Sequence, residues 1–134
     1  MNTKTLLVAI AVALSTAAPT FARPRIDVPI YVGGDADFDA CGSTGTVVGL
    51  NPRGDGFLSV RSGPGGHFRE IDRIYNGQPV WICEDRGPWM AVVYDKRGRD
   101  DQCGVSSPWP VKQPYTGPCR YGWVHSRYIG NLTG

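Results

Sequence analysis

Cys41, Cys83, Cys103 and Cys119, with His67 and His125, are among the side chains here whose types could hold a metal or attack a substrate. Their spacing argues against both. A four-thiolate zinc site favours C-x-x-C pairs, and none is present; two histidines with no cysteine or carboxylate pattern beside them make a poor metal site. A thiol nucleophile needs a base within hydrogen-bond reach and would leave an odd number of cysteines to pair. No G-x-S-x-G elbow exists for a serine nucleophile. The run from Asn51 to Phe57 has the flavour of a calcium loop but lacks the bidentate Glu at its twelfth position, where Ser62 stands, so it reads as a turn. No catalytic residue, metal or cofactor is expected.

An even number of cysteines in a short chain bound for an oxidising compartment reads as two disulfides. Four cysteines allow three connectivities. The favoured one joins Cys103 to Cys119, closing a stretch rich in Pro and Gly, and Cys41 to Cys83, tying an N-terminal segment to a strand. Each bridge stabilises such a domain by about 3 to 4 kcal/mol on the chain-entropy account.

The elements around these residues read as short strands. With 18 Gly and 11 Pro among 134 residues, the composition favours strands and tight turns over long helices, and no helical period is sustained beyond the N-terminus. Residues 23–40 form a turn-rich lead-in with one short strand over Val28–Val32. Strands are expected over Thr46–Leu50, Phe57–Arg61, Ile71–Tyr75, Pro79–Glu84, Trp89–Tyr94 and Arg120–Ile129, with Asn76-Gly77 as a hairpin turn. In Pro79–Glu84, Val80 and Ile82 alternate with Trp81 and Cys83, so both faces are apolar. Something must cover the Trp81/Cys83 side, and the lead-in carrying Cys41 is the expected cover. Residues 95–119 are a long Pro-rich insertion, and a loop of that length in a compact domain is usually functional or disordered.

The N-terminus reads as a secretory signal. Lys4 supplies its positive charge, Leu6 to Leu14 a short apolar run, and Thr20-Phe21-Ala22 an A-x-A-like cleavage site, with Ala18 as its competitor. The run is too short to span a bilayer, so no membrane span is expected after cleavage. The expected organisation is a signal peptide (1–22), an N-terminal extension (23–45), one domain (46–130) with its insertion (95–119), and a polar tail (131–134), exported to the periplasm or beyond. Fourteen basic against twelve acidic residues, without a run of one sign, give no nucleic-acid footprint.

Four stretches, in order, resemble the bacterial SH3-like (SH3b) family. Leu58-Ser59-Val60-Arg61-Ser62-Gly63-Pro64-Gly65 resembles its opening motif, and Ile71 to Val80 its central hairpin. Gly87-Pro88-Trp89-Met90-Ala91-Val92-Val93 resembles its G-x-W strand, and Gly122-Trp123-Val124-His125-Ser126-Arg127-Tyr128-Ile129 its closing segment. The resemblance covers about residues 46–94 and 120–130. It implies an all-β fold, a small, partly open barrel of about five strands, and for some members recognition of peptidoglycan or its peptide cross-bridges. The insertion of residues 95–119 and the lead-in with Cys41 depart from the family.

Aromatic residues are dense in this chain. Trp81, Trp89 and Trp123 suit a core, while Trp109 and Tyr115 sit in the Pro-rich insertion with less reason to be buried. Aromatic grooves bind extended peptides at small ordering cost. The expected ligand groove is therefore lined by Tyr75, Trp109, Tyr115 and Tyr128 and rimmed by Arg61 and Arg127. The expected function is non-catalytic binding of peptidoglycan or an extended peptide. The alternative is an envelope interaction factor, an inhibitor or adaptor of a cell-wall enzyme, using the insertion as its contact.

Overall fold

The computed structural model describes residues 4–18 and 25–134. Residues 4–18 have no regular structure, and Leu6, Leu7, Val8, Ile10, Val12 and Leu14 are exposed. The expected cleavage site at Thr20-Phe21-Ala22 lies outside the described residues. No helix among the described residues is long and apolar enough to cross a membrane.

From residue 25 the chain is all-β apart from two 3-10 turns, Asp100–Cys103 and Ser126–Tyr128. Its strands are β1 (Tyr31–Val32), β2 (Ser43–Val47), β3 (Leu58–Arg61), β4 (Glu70–Ile74), β5 (Pro79–Arg86), β6 (Trp89–Tyr94), β7 (Gln113–Pro114), β8 (Arg120–His125) and β9 (Ile129–Thr133). Seven form one sheet in the order β4-β3-β8-β6-β5-β2-β9; β1 and β7 pair separately. Only Ser126–Tyr128 carry the chain from β8, in the middle of the sheet, to β9 at its edge. Four strand spacings in a flat sheet measure about 19 Å, further than three linking residues reach at about 3.5 Å per step. The sheet therefore curls.

β6 starts and ends where its sequence predicts, because Gly87-Pro88 forces the turn and an apolar run follows. Other elements differ. The first sheet strand is Ser43–Val47 rather than Thr46–Leu50. Residues 131–133, expected in a polar tail, belong to β9, whose Ile129 and Thr133 pair with Val47 and Thr44 of β2. Asn76-Gly77 turns the chain but makes no hairpin, since β4 and β5 are not neighbours in the sheet. Only Gly77 takes positive φ (91°), whereas the type I′ hairpin turn that Asn-Gly favours needs it at both central residues and type II′ at the first. The Asn76 side chain is committed elsewhere: its Oδ1 accepts from Leu50 N (3.1 Å) and its Nδ2 donates to Leu50 O (3.0 Å).

Both faces of the sheet carry a core. On one, Val47, Leu58, Val60, Val80, Val92 and Val124 pack together. On the other, Ala91, Val93 and Trp123 meet Ile30, Val32 and Cys41 from the lead-in and Cys103, Val105 and Tyr115 from the insertion, with Trp81 and Cys83 against them. The first part of β5 dictates this: residues 79–83 are apolar on both faces and must be covered twice. Lead-in and insertion form the cover jointly, paired through Tyr31↔Pro114 and Val32↔Gln113. It is stapled by the disulfides Cys41–Cys83 and Cys103–Cys119, the connectivity favoured from sequence. Trp123 Nε1 donates to Val28 O at 2.9 Å, satisfying the one polar group of a fully buried ring.

Where β3 crosses β8, Gly122 is required. A Cβ there would collide with Val60 Cγ1 and lie 3.1 Å from Arg61 O. Gly122→Ala is expected to cost about 1 to 3 kcal/mol by overpacking, read by urea unfolding. Gly66→Ala, with nothing within 4 Å of the new Cβ, should be neutral; equal effects would contradict this packing.

Candidate functional site

The residues expected to share one groove lie in different places. Tyr115 is only 2% exposed. Its hydroxyl donates to Cys103 O (2.8 Å) and accepts from Cys119 N (3.2 Å), so it organises the insertion from inside rather than lining a groove. Trp109 stacks on it with ring centroids 6.2 Å apart, and its Nε1 donates to Gly104 O at 2.8 Å. Tyr75 is exposed at the Asn76-Gly77 corner, and Arg127 is exposed in the middle of the 3-10 turn Ser126–Tyr128. The aromatic insertion is a cover because the second sheet face needed one, a demand that outweighs the loop's Pro-rich composition.

Arg61 and Tyr128 do come together. They line a groove of about 400 Å³ with Phe57, Trp89, His125 and Asp55. Its parts come from the 49–57 loop, β3, the start of β6, the end of β8 and the 3-10 turn that follows. The loop is pinned by Asn76 at Leu50 and by its own turn, in which Asn51 Oδ1 accepts from Arg53 N at 2.9 Å. Trp89 and His125 are partners across β6 and β8, and their rings meet edge to face at 5.3 Å. His125 Nδ1 accepts the backbone N–H of Arg127 at 3.1 Å, so in the neutral ring the proton sits on Nε2, which is left as a donor. Arg61 is oriented by donating from Nη1 to Phe68 O at 2.9 Å.

One wall is braced by an ion-pair network. Arg73 lies over the Phe57 ring at 4.0 Å and donates to Glu70 Oε1 at 2.6 Å, while the Ser59 hydroxyl donates to Glu70 Oε2. The Ser59 and Arg73 hydrogen bonds hold the Glu70 carboxyl below its ordinary value. The groove thus offers three aromatic rings, one guanidinium, one imidazole N–H and one carboxylate. Its volume falls within the usual range of ligand sites.

Comparison with family models, with curated proteins and with solved structures finds no match to this chain. The groove therefore stands on its own geometry.

Sequence reasoning missed Phe57, Trp89, His125 and Asp55. Trp89, expected in the core, does pack half-buried against the second core, and it lines the groove as well. The available signal was position: Trp89 begins β6 and His125 ends β8, so antiparallel pairing puts both at one end of the sheet. Among the described residues no group of three or more His, Cys, Asp or Glu side chains could hold a metal.

Proposed function

We propose that this chain is an exported, non-catalytic SH3-like module that binds peptidoglycan or an extended peptide in the groove between Arg61 and Tyr128. The observation that carries this reading is the groove itself, with Phe57, Trp89 and Tyr128 beside Arg61 and the His125 donor. Flat aromatic walls take up sugar faces or the ridges of an extended peptide, while a few fixed polar groups set orientation. The resemblance of Leu58–Gly65 and Gly122–Ile129 to SH3b motifs supports the same reading. Export is supported by the signal-like N-terminus and by two disulfides, which persist in oxidising compartments. Against catalysis, all four thiols are consumed in disulfides and His125 Nδ1 is engaged with Arg127 N.

The test is co-sedimentation of the purified, oxidised protein with sacculi. Salt-resistant binding is expected, with at least a tenfold loss for Arg61→Ala, and for Trp89→Ala provided its unfolding curve shows it folded. Absence of sedimentation, or unchanged binding in both variants, would overturn the reading; cleavage of sacculi would overturn its non-catalytic part.

A second reading is favoured by the cover layer. Its lead-in exposes Phe38 (70%) and its insertion Val111 (68%), on a loop closed by the Cys103–Cys119 bridge. A rigid apolar protrusion suits docking to an envelope enzyme, as an inhibitor or adaptor would. Capture of such an enzyme, lost on Val111→Asp, would favour this reading.

A further inference from the structure

A cluster of cations after β6 meets Arg120 at the roots of the insertion. Lys96, Arg97 and Arg99 follow β6, Arg120 opens β8, and together they line a cleft of about 370 Å³ with Asp95. Its floor is firm, made of buried Tyr94, Pro118 and the Cys119 end of a disulfide. Lys96 and Arg120 are anchored on Asp72, and Arg99 lies 3.5 Å from Asp95. The Arg97 guanidinium has no protein partner among the described residues, although its backbone N–H donates to Asp95 Oδ1 at 2.8 Å. The cleft lining itself holds four cations and one carboxylate, Asp95; Asp72 engages two of the cations from the adjoining hollow, and Asp100 and Asp101 follow Arg99 in the next 3-10 turn.

A second hollow of about 290 Å³ adjoins this one, sharing Tyr94, Pro118, Cys119 and Arg120 and walled by Ile71, Tyr121 and Asp72, whose carboxylate is held by Lys96 and Arg120. One end of the combined cleft is cationic and the other largely apolar. Guanidinium groups present forked donors that match phosphate oxygens, and several cations together suit a multiply charged group. We infer that this cleft binds a phosphate ester or diphosphate carrying an apolar substituent. The site is separate from the Arg61/Tyr128 groove and does not depend on what that groove binds.

The test is calorimetric titration of the disulfide-bonded protein with inorganic pyrophosphate and with farnesyl diphosphate. The double variant Arg97→Ala/Arg99→Ala leaves Lys96 and Arg120 on Asp72, and thermal unfolding checks that it stays folded. Farnesyl diphosphate is expected to bind at least tenfold more tightly than pyrophosphate. Both should weaken at least tenfold in the variant and on raising salt. No binding of either ligand at millimolar concentration, or equal binding by variant and wild type, would overturn the inference. Equal affinity for the two diphosphates would overturn its apolar half. Once farnesyl diphosphate binds, vesicles decide the source: sedimentation with phosphatidylglycerol but not phosphatidylcholine, lost in the variant, assigns a lipid headgroup, and its absence assigns a soluble phosphate ester.

Discussion

Replacing Cys41 and Cys83 together by Ala is expected to lower the unfolding free energy by about 4 kcal/mol, read by urea unfolding of the oxidised protein at pH 7. The bridge closes a loop of 42 residues, and chain-entropy arguments assign about that much to a cross-link of such span. In a domain of this size the change corresponds to a fall in melting temperature of about 15 °C. The shorter Cys103–Cys119 loop, 16 residues, should contribute about 3 kcal/mol. The larger effect belongs to Cys41–Cys83 for a structural reason too: it holds the lead-in over Trp81, and with it the shared cover that shields Trp123. A loss below about 1 kcal/mol would mean the cover holds without its staple.

Asp72→Ala is expected to cost about 2 to 3 kcal/mol, the range for losing hydrogen bonds to a charged group and leaving a buried donor unsatisfied. Asp72 accepts from the Tyr94 hydroxyl at 2.7 Å, from Lys96 Nζ and from Arg120 Nη1 at 3.3 Å, so one carboxylate on β4 ties both roots of the insertion. Burial pushes its pKa up, but the bonds from Lys96, Tyr94 and the backbone of Arg73 outweigh that and hold it below the usual carboxylate value. Burial and the Asp72 carboxylate drive the Tyr94 hydroxyl far above the ordinary phenol value, so it stays a donor. A folded-state value below the unfolded one means stability is fully present above about pH 4 and is lost as pH falls through the lowered value. Asp72→Asn should therefore be less stable than wild type at pH 7, with the difference shrinking towards pH 3. A difference that stays constant across this range would contradict the electrostatic role of the clamp.

The strands were most legible where turn chemistry and apolar alternation agreed, as at Gly87-Pro88 followed by β6. The two-faced strand Pro79–Glu84 told the most, since it demanded a cover and so named the partner of Cys41. β2 was displaced because Ser43-Thr44-Gly45-Thr46 has small, polar residues. Those suit it here: a Cβ on Gly45 would press on Ile129 Cγ2 at 2.7 Å. β9 was hidden by Gly130-Asn131, and Asn131 indeed adopts a left-handed conformation (φ 52°) within the strand. Of the candidate site, Arg61 and Tyr128 were legible and the rest was not. Which aromatic residues are spent on internal packing depends on how lead-in and insertion meet, and no local pattern encodes that.

The pairing of β2 with β9 also sets the order of assembly. Synthesis delivers β2 well before β9, so β2 must wait with one flank of backbone donors and acceptors unmatched until residues 129–133 arrive. Contacts of such long sequence separation are slow to form, and an open strand flank invites pairing with another chain. The nascent chain is therefore most vulnerable to self-association just before residues 129–133 emerge, and removing those residues would make that transient state permanent.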